Sequence, residues 1–549
     1  MEIIYKSKII NATKKRNIYD KFKYKMILHR ANLNYLLVLL LIIYAFVINW
    51  VSANIGILPI DTFAFFDSGF NILNNKLPLR DFWIFTGLLV DYLQALFFLI
   101  FGSTWNSYVL HASFINILAS LSFYFFLIRL NLEKLYSFIY AISFATLCYP
   151  LSGTPFAYLH SYIFSLISIF IFSIAIHERK NSLWLLLPII FFLAFFSMQT
   201  PSFYIILILL FFSFYFLIIK KNPTGLKLFM TGGILSLFGV FVFLYLTNTS
   251  LENLLYQYFL FPLTIGAGRL TSDPNAYVTL ADQINFQRLI GNFKFIHAFL
   301  FPLIFVTCKF FIEKKKDSIV TINTIIILSV MAFFFNQLIT ANQIFIFSLI
   351  PIMASLLHIS LKKLKISNII YFVLIFILLS FSTVKFHQRY NIDRKFLDIE
   401  ELDKNKAIDA RVIDEKLKNL KWISKYSEPQ EEINLIIKAI ETIKEDNRDK
   451  IIITHYQFFS LILNNNLNIL NRWYLWDNNT HPTETHKYFS FYKKMINKNL
   501  SKNKIKVIYL LGAEIQFEKV KDYFTDTCFK STKVVENKFS YHEIIKCKV

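Results

Sequence analysis

Long apolar runs are the feature of this sequence that most constrains its fold. Runs of roughly 16 to 22 residues recur between Leu36 and Thr383, and each approaches the ~20 residues that a helix needs to cross ~30 Å of hydrocarbon. The chain of 549 residues is 55% hydrophobic and only 17% charged. A soluble protein of this length could not bury so much apolar surface. The sequence therefore predicts a polytopic α-helical membrane protein.

The composition changes after the last apolar run. From Val384 onward the chain has 30 Lys or Arg and 23 Asp or Glu, which is typical of a water-soluble domain. The segments "DKIIITHYQ" and "KIKVIYLLG" predict strands, and residues 431–446 predict a helix. We expect three regions: a cytoplasmic basic arm at 1–34, a transmembrane domain at 35–383 with its first external loop at 51–107, and a soluble α/β or α+β domain at 384–549.

The distribution of basic residues predicts the orientation of the chain. Eleven spans are expected, at 35–50, 108–128, 135–150, 158–176, 183–198, 202–219, 228–246, 293–311, 318–336, 343–360 and 367–383. With the N-terminus inside, the cytoplasmic segments hold 23 Lys or Arg and the opposite side of the membrane body holds 5, in agreement with the positive-inside rule. We therefore expect the C-terminal domain outside the cytoplasm. Many Phe, Ile, Lys and Asn residues with only 13 Gly and 13 Pro suggest an AT-rich bacterial genome, so the expected location is the periplasmic side of a bacterial inner membrane.

The apolar piece 87–101 is left out of these spans because counting it would place the basic loops outside. Its 15 residues reach only about 22 Å as a helix, and it carries Asp91 and Gln94 one turn apart. We expect an amphipathic helix at the outer membrane surface. A short tilted span is the alternative.

The net charge of +22 does not indicate a nucleic-acid partner. Nine of the basic residues precede the first span, and most others of the membrane body lie in short loops, where they act as orientation signals. The four cysteines lack the spacing of a metal site. Cys528 and Cys547 could form a disulfide if their domain lies outside the cytoplasm, and two free thiols are the alternative.

The acidic residues of the membrane body lie outside the predicted spans. Seven of them face outward: Asp61, Asp67, Asp81, Asp91, Glu252, Asp273 and Asp282. An ion-driven transporter needs ionisable residues at mid-membrane depth to hold its coupling ion. The predicted spans contain no acidic residue, which disfavours a transporter. An enzyme outside the cytoplasm lacks nucleotide donors, which suggests an activated substrate that a lipid delivers, with a lipid phosphate as leaving group.

The first external loop carries an ordered set of motifs. It contains Asp61, then "GFNILNNKLPLRDFW" (Gly69–Trp83), then Gly87 and "LFFLIFGSTW" (Leu96–Trp105). This order resembles the first external loop of GT-C glycosyltransferases of the protein O-mannosyltransferase and aminoarabinose-transferase type. The resemblance implies an inverting glycosyltransferase with a polyprenyl-phosphate sugar donor and a glycan, lipid or protein acceptor.

The loop also departs from the pattern of that family. Leu79 stands where an aromatic residue is frequent, and Leu88 replaces the proline that usually follows the glycine. In the next external loop, "YPLSGTPFAYLHSY" places His160 near the usual second acidic residue. Gln199 occupies a place where lysine is common.

The resemblance implies that Asp61 is the general base that accepts the proton of the acceptor hydroxyl. A helix N-cap is the structural alternative for Asp61. The other candidates are residues for substrate or phosphate binding: Asp67, Arg80, Asp81, His160, Arg269 and Arg288, with Lys76 as a further cation. Solvated or capping roles for Asp67, and an Arg80–Asp81 ion pair that stabilises the turn, are the alternatives.

The cofactor is left open by the sequence. A divalent cation held by Asp61, Asp67 or His160 is a possibility, because a metal can take up charge that develops on a leaving phosphate. Two other functions compete with glycosyl transfer: a polytopic exporter of polysaccharide or lipid, and a ligase or polymerase that uses lipid-linked oligosaccharide.

Overall fold

The computed structural model describes residues 33–271, 279–315, 317–340, 345–366, 368–393, 399, 401–524 and 527–545. Most of the predicted basic arm and Asp273 lie outside the described residues. The described chain consists of a helical membrane body followed by a domain with a small sheet, so the predicted fold class is confirmed.

Eight helices of the described residues are long and apolar enough, by length and composition, to cross a membrane. They are α1 (Leu33–Ala53), α5 (Trp105–Arg129), α7 (Ala157–Glu178), α9 (Gln199–Ile219), α10 (Pro223–Thr247), α14 (Lys294–Ile312), α15 (Ser318–Thr340) and α17 (Ile369–Ile392).

The three remaining predicted spans correspond to shorter helices, namely α6 (Lys134–Leu147), α8 (Leu183–Ser197) and α16 (Leu349–Lys363). Helix α16 is buried continuously from Leu349 to Leu361. It is therefore a central helix of the bundle, whereas α10 at the periphery is exposed over most of its surface.

The last long helix continues further than the sequence predicts. The soluble domain was expected to begin at residue 384, but α17 runs to Ile392, with a final π-helical segment at His387–Ile392. The physical reason is that Phe386 and Tyr390 keep packing on Phe347, at ring distances of 3.8 and 5.3 Å. The polar residues at the end of α17 have the composition of a soluble segment, so composition alone places the boundary too early in the chain.

The first external loop is folded rather than extended. It contains the single-turn helix α2 (Pro59–Thr62), α3 (Phe66–Leu73) and α4 (Leu88–Phe101). The predicted helix at 87–101 is therefore present, but its polar face points into the protein. Asp91 and Gln94 are fully buried, whereas Leu99 and Ile100 are exposed.

The outer segment between α10 and α14 is built from short helices. They are α11 (Leu251–Leu254), which continues as a π-helical segment at Leu255–Leu260, then α12 (Phe261–Leu270) and α13 (Leu280–Gln283), with a further π-helical segment at Gln287–Gly291.

The C-terminal domain has a small antiparallel pair, β1 (Ile408–Asp409) with β2 (Lys421–Trp422), and a four-stranded sheet. The sheet contains β3 (Lys450–Thr454), β4 (Val507–Leu511), β5 (Cys528–Val535) and β6 (Phe539–Ile545), in the order β3-β4-β6-β5 with only β3 and β4 parallel. Both predicted strands are present. Cys528 is disulfide-bonded, and Cys547 lies outside the described residues.

Helices cover this sheet: α18 (Pro429–Glu445), which the sequence predicts, with α19 (Phe459–Leu463), α20 (Phe489–Lys502) and α21 (Phe517–Val520). The apolar side of α18 packs inward through Ile433, Ile436 and Ile443, because these residues recur at helical spacing. The result is an α+β layer structure.

The C-terminal domain and the first external loop share one hydrophobic core. Phe63 of the loop packs against Trp422 and Phe458 at ring distances of 5.8 and 4.9 Å, and against Trp105 at the start of α5. Backbone hydrogen bonds also connect the loop to the C-terminal domain, a contact that we call the joint. They run from Gly56 N to Lys421 O, Ile57 N to Ile423 O, Lys421 N to Asn54 O and Trp83 N to Leu470 O. The loop and the domain are thus one folded unit.

Candidate active site

The four aspartates of the first external loop differ in exposure. Asp67, Asp81 and Asp91 are buried, with relative exposures of 1%, 8% and 0%. Asp61 is half-buried, although residues 62–71 that follow it are all buried. Because a carboxylate that accepts a proton from a substrate must be reachable, the difference singles out Asp61.

Asp67 connects the loop to the C-terminal domain. Its carboxylate oxygens accept hydrogen bonds from the backbone amides of Ser460 (3.1 Å) and Leu461 (2.8 Å) at the start of α19. Burial raises the pKa of Asp67 to about 6, although these amide donors oppose the shift. Both oxygens are therefore used by protein groups, and the phosphate-binding role considered for Asp67 does not fit the structure.

The raised pKa of Asp67 predicts a pH dependence of stability. A carboxyl group whose pKa is higher in the folded state than its usual value near 3.8 stabilises the fold at low pH and loses that contribution as the pH rises. We expect the difference in melting temperature between the wild type and Asp67→Asn to fall from about pH 4 to 6 and to stay constant above pH 7. Thermal unfolding in detergent across this range measures it, and a constant difference would contradict the raised pKa.

Asp81 and Arg80 stabilise the turn that precedes α4. Asp81 pairs with Arg80 (2.6 Å) and Lys502 (3.2 Å) and accepts the amide of Leu77. Burial alone would raise the pKa of Asp81, but the hydrogen bonds from Arg80 and Leu77 outweigh it and lower the pKa. The Arg80 guanidinium also donates to the carbonyls of Thr247 and Asn75. This supports the ion-pair alternative, because neither side chain is left open to a phosphate.

Asp91 forms a buried ion pair that the sequence analysis did not anticipate. Its carboxylate accepts hydrogen bonds from Arg472 of the C-terminal domain and from Ser68 of α3. The Arg472 guanidinium also donates to the carbonyl of Thr86 and lies 4.4 Å from the ring centre of Phe65. The sequence offers one signal, since Arg472 is the sole Lys or Arg between Lys450 and Lys487.

Asp61 lies on the single turn α2, whose neighbours are held rigidly. The helix begins at Pro59, so Asp61 is in its first turn and is not the N-cap. The Tyr108 hydroxyl donates to the carbonyl of Thr62 (2.9 Å), and both Asp61 and the Asp91–Arg472 pair interact electrostatically with Tyr108. Asp61 is thus partly exposed on a turn that is followed by buried residues.

His160 belongs to a buried polar chain in the helix bundle. Its Nε2 lies 3.0 Å from Nε2 of His111, whose Nδ1 lies 2.9 Å from Oε1 of Gln94. On the other side, Nδ1 of His160 is 3.0 Å from the Tyr149 hydroxyl. Both ring nitrogens therefore have protein partners.

The suggested metal site does not fit these contacts. Asp67 and His160 use their ligand atoms within the protein, and in the part of the chain that the structure describes no three His, Cys, Asp or Glu side chains could hold a metal ion. Asp61, Asp67 and His160 are not brought together as cation ligands.

Two of the remaining basic candidates, Arg269 and Arg288, lie between α10 and α14, and the third, Lys76, follows α3. Arg269, at the end of α12, donates to Oδ1 of Asn479 (3.2 Å) and to the carbonyl of Ile339 (3.4 Å). Arg288 donates to Oε1 of Gln283. Lys76 donates to Oδ1 of Asn503, so it stabilises the joint.

A cleft of about 750 Å³ opens between α12 and the loop 477–488 of the C-terminal domain. About half of its lining is apolar, from Leu260, Leu263, Ile265 and Ala267, and the other half includes Thr264, Asp477, Asn478, Asn479, His486 and Tyr488. Thr264 Oγ1 lies 2.9 Å from Nε2 of His486, which fixes one side of the cleft. Hydroxyl, amide and carboxylate groups beside an aromatic ring can bind a polyhydroxylated ligand.

No protein-family model matches the chain, and no curated protein matches it. Among solved structures, the chain is similar to the oligosaccharyltransferase of Archaeoglobus fulgidus, crystallised with a tethered acceptor peptide that contains the NVT sequon. The sequence identity is 12% and the TM-score is 0.42, and the match covers 86% of this chain and 68% of that chain.

Proposed function

We propose that this protein is an integral membrane glycosyltransferase that transfers a sugar from a polyprenyl-phosphate donor to an acceptor on the periplasmic side of a bacterial inner membrane. The observation that carries the proposal is that Asp61 is partly exposed, whereas the other three aspartates of the same loop are buried. It occupies the place that the GT-C resemblance gives to the general base.

In the proposed reaction, the Asp61 carboxylate accepts the proton of an acceptor hydroxyl. The oxygen of that hydroxyl attacks the anomeric carbon of the donor at the same time. The bond between that carbon and the phosphate oxygen breaks, and the polyprenyl phosphate leaves with the electron pair, so the anomeric configuration inverts. A positioned base of this kind contributes about 10² to 10⁴ in rate.

The leaving phosphate needs a positive group. Arg80 is used by Asp81 and by the carbonyls of Thr247 and Asn75, and Lys76 is bound to Asn503. We assign the phosphate role to Arg269, since it lies next to the cleft and a guanidinium can bind phosphate oxygens in pairs. Arg288, on a more exposed turn, is the second candidate.

The cleft between α12 and the loop 477–488 is the proposed acceptor site. The polar side chains of its lining can form hydrogen bonds with the hydroxyl groups of a glycan acceptor. The membrane body and the C-terminal domain form the cleft jointly. This gives the C-terminal domain a role in acceptor binding.

Asp477→Asn is expected to raise the KM for the acceptor about tenfold with kcat nearly unchanged, because it removes charge-assisted hydrogen bonds to sugar hydroxyls. Asn can still accept the hydrogen bond from the Asn479 amide that Asp477 Oδ1 accepts now. Initial rates at varied acceptor concentration measure the effect. Glu484→Gln, an exposed acid outside the cleft lining, is the control, and a change in kcat alone would contradict the assignment.

The test of the function itself is transfer by the purified protein in proteoliposomes. A radiolabelled polyprenyl-phosphate monosaccharide should lose its sugar to an added glycan or lipid acceptor. Transfer from a lipid-linked oligosaccharide alone would favour the ligase or polymerase alternative. Movement of an intact glycan or lipid across the bilayer without covalent transfer would favour the exporter.

A further inference from the structure

Three basic side chains meet where α14 begins and α17 ends. Lys294 is the first residue of α14, and Lys385 and Arg389 lie one turn apart on α17. The two ammonium groups face the same ring, because Lys294 Nζ is 5.8 Å and Lys385 Nζ is 5.4 Å from the centre of Phe295. Lys294 and Arg389 both repel the Lys385 ammonium.

This cluster lacks the carboxylates that neutralise basic residues at the opposite end of the bundle. There, Lys362 pairs with Glu133 (2.9 Å) and Lys363 pairs with Asp317 (2.6 Å). Among the described residues, no Asp or Glu forms an ion pair with Lys294, Lys385 or Arg389, and the buried Nε of Arg389 has no hydrogen-bond partner.

Three positive side chains that lie together without a negative partner make the local electrostatic potential more positive. The start of α14 adds to it, since unpaired amides at a helix N-terminus carry partial positive charge. Mutual repulsion disfavours this arrangement unless an anion binds between the groups. A phosphate group suits the site because Lys and Arg are its usual ligands in proteins.

The surroundings of the cluster indicate that the phosphate belongs to a lipid. Below it, α17 presents an exposed apolar strip that contains Ile377, Phe381 and Val384, with exposures of 60%, 57% and 66%. A free phosphate ion would use the cluster only, whereas a phospholipid would also cover this strip with its acyl chains.

The cluster is also separate from the contacts of the candidate active site. Asn391, on the same helical segment, donates to the carbonyl of Thr146, and its own carbonyl accepts from Ser52 near the first external loop. Lys385 and Arg389 instead pack towards Phe295 and Tyr390. Because these two sets of contacts differ, we take the phosphate held here to be distinct from that of the sugar donor.

We infer that Lys294, Lys385 and Arg389 form a binding site for the phosphodiester headgroup of an anionic bilayer phospholipid, at the end of the bundle that carries the C-terminal domain. The bound lipid offsets part of the positive charge of the cluster and holds α14 against α17.

The experiment titrates delipidated full-length protein with phosphatidylglycerol and counts bound lipids by native mass spectrometry. Lys294→Gln/Lys385→Gln should bind phosphatidylglycerol about tenfold or more weakly, since each basic residue near a membrane surface contributes to the attraction of anionic lipids. Lys294→Arg/Lys385→Arg should bind like the wild type. Lys362→Gln/Lys363→Gln, which also removes two positive charges but at the opposite end of the bundle, should bind like the wild type.

Three results would overturn the inference. One is equal binding of phosphatidylglycerol by the wild type and the double Gln variant. Another is displacement of the lipid by millimolar inorganic phosphate, which would indicate a free-phosphate site. The last is binding of polyprenyl phosphate in preference to phosphatidylglycerol, which would assign the cluster to the sugar donor. Circular dichroism of each variant establishes that a lost signal does not come from unfolding.

Discussion

Asp61→Asn is expected to reduce sugar transfer by about 10² to 10⁴ while the protein still folds, because the amide cannot accept the proton of the acceptor hydroxyl. The side chain keeps its size and stays partly exposed on α2, whose position depends on Phe63 and on the Tyr108 hydrogen bond to Thr62. The measurement is the initial rate of transfer in proteoliposomes, together with the melting temperature in detergent.

Glu252→Gln is the matched control for this change. Glu252 is an exposed acid in the first turn of α11, so the substitution removes one negative charge from the same predicted side of the membrane. Its transfer rate should stay within about twofold of the wild type. If Asp61→Asn lost no more activity than Glu252→Gln, Asp61 would not be the base, and the exporter alternative would gain support.

Arg472→Met is expected to give the largest loss of stability. Removing one partner of a buried ion pair leaves the other charge without compensation, which typically costs 3 to about 5 kcal/mol. Asp91 is fully buried and Arg472 is 2% exposed, so water cannot replace the lost partner. We expect a lower melting temperature and faster proteolysis of the C-terminal domain, since Arg472 joins that domain to α4.

The combination Asp91→Leu/Arg472→Met tests the reason for that loss. Removing both charges should recover part of the stability, because no uncompensated charge remains. Arg411→Met, which removes a half-exposed arginine paired with Glu415 at the surface, should change stability by about 1 kcal/mol or less. A double variant as unstable as Arg472→Met would mean that packing against Phe65 and Trp473 matters more than the charge.

The sequence predicts well those structural elements that depend on residues close to each other along the chain. The apolar runs located the helices, and the apolar clusters in "KIIIT" and "VIYLL" located the two parallel strands. These features can be read locally because the length of a continuous apolar run indicates whether a segment crosses lipid as a helix or is buried as a strand.

The roles of the charged residues were harder to predict. Asp67, Arg80 and Asp81 were considered for phosphate binding, yet their partners are Ser460, Leu461 and other groups of the joint. Nothing in the order of the loop residues shows that a domain several hundred residues later packs on them.

The sequence by itself determined that the chain forms a helical membrane body followed by a soluble domain, because burial of apolar surface depends on the composition of each segment. Only the tertiary structure decided which loop aspartates stay accessible. Asp67 and Asp91 acquire their partners from α19 and Arg472, and the charged state and accessibility of a carboxylate depend on groups that folding brings next to it.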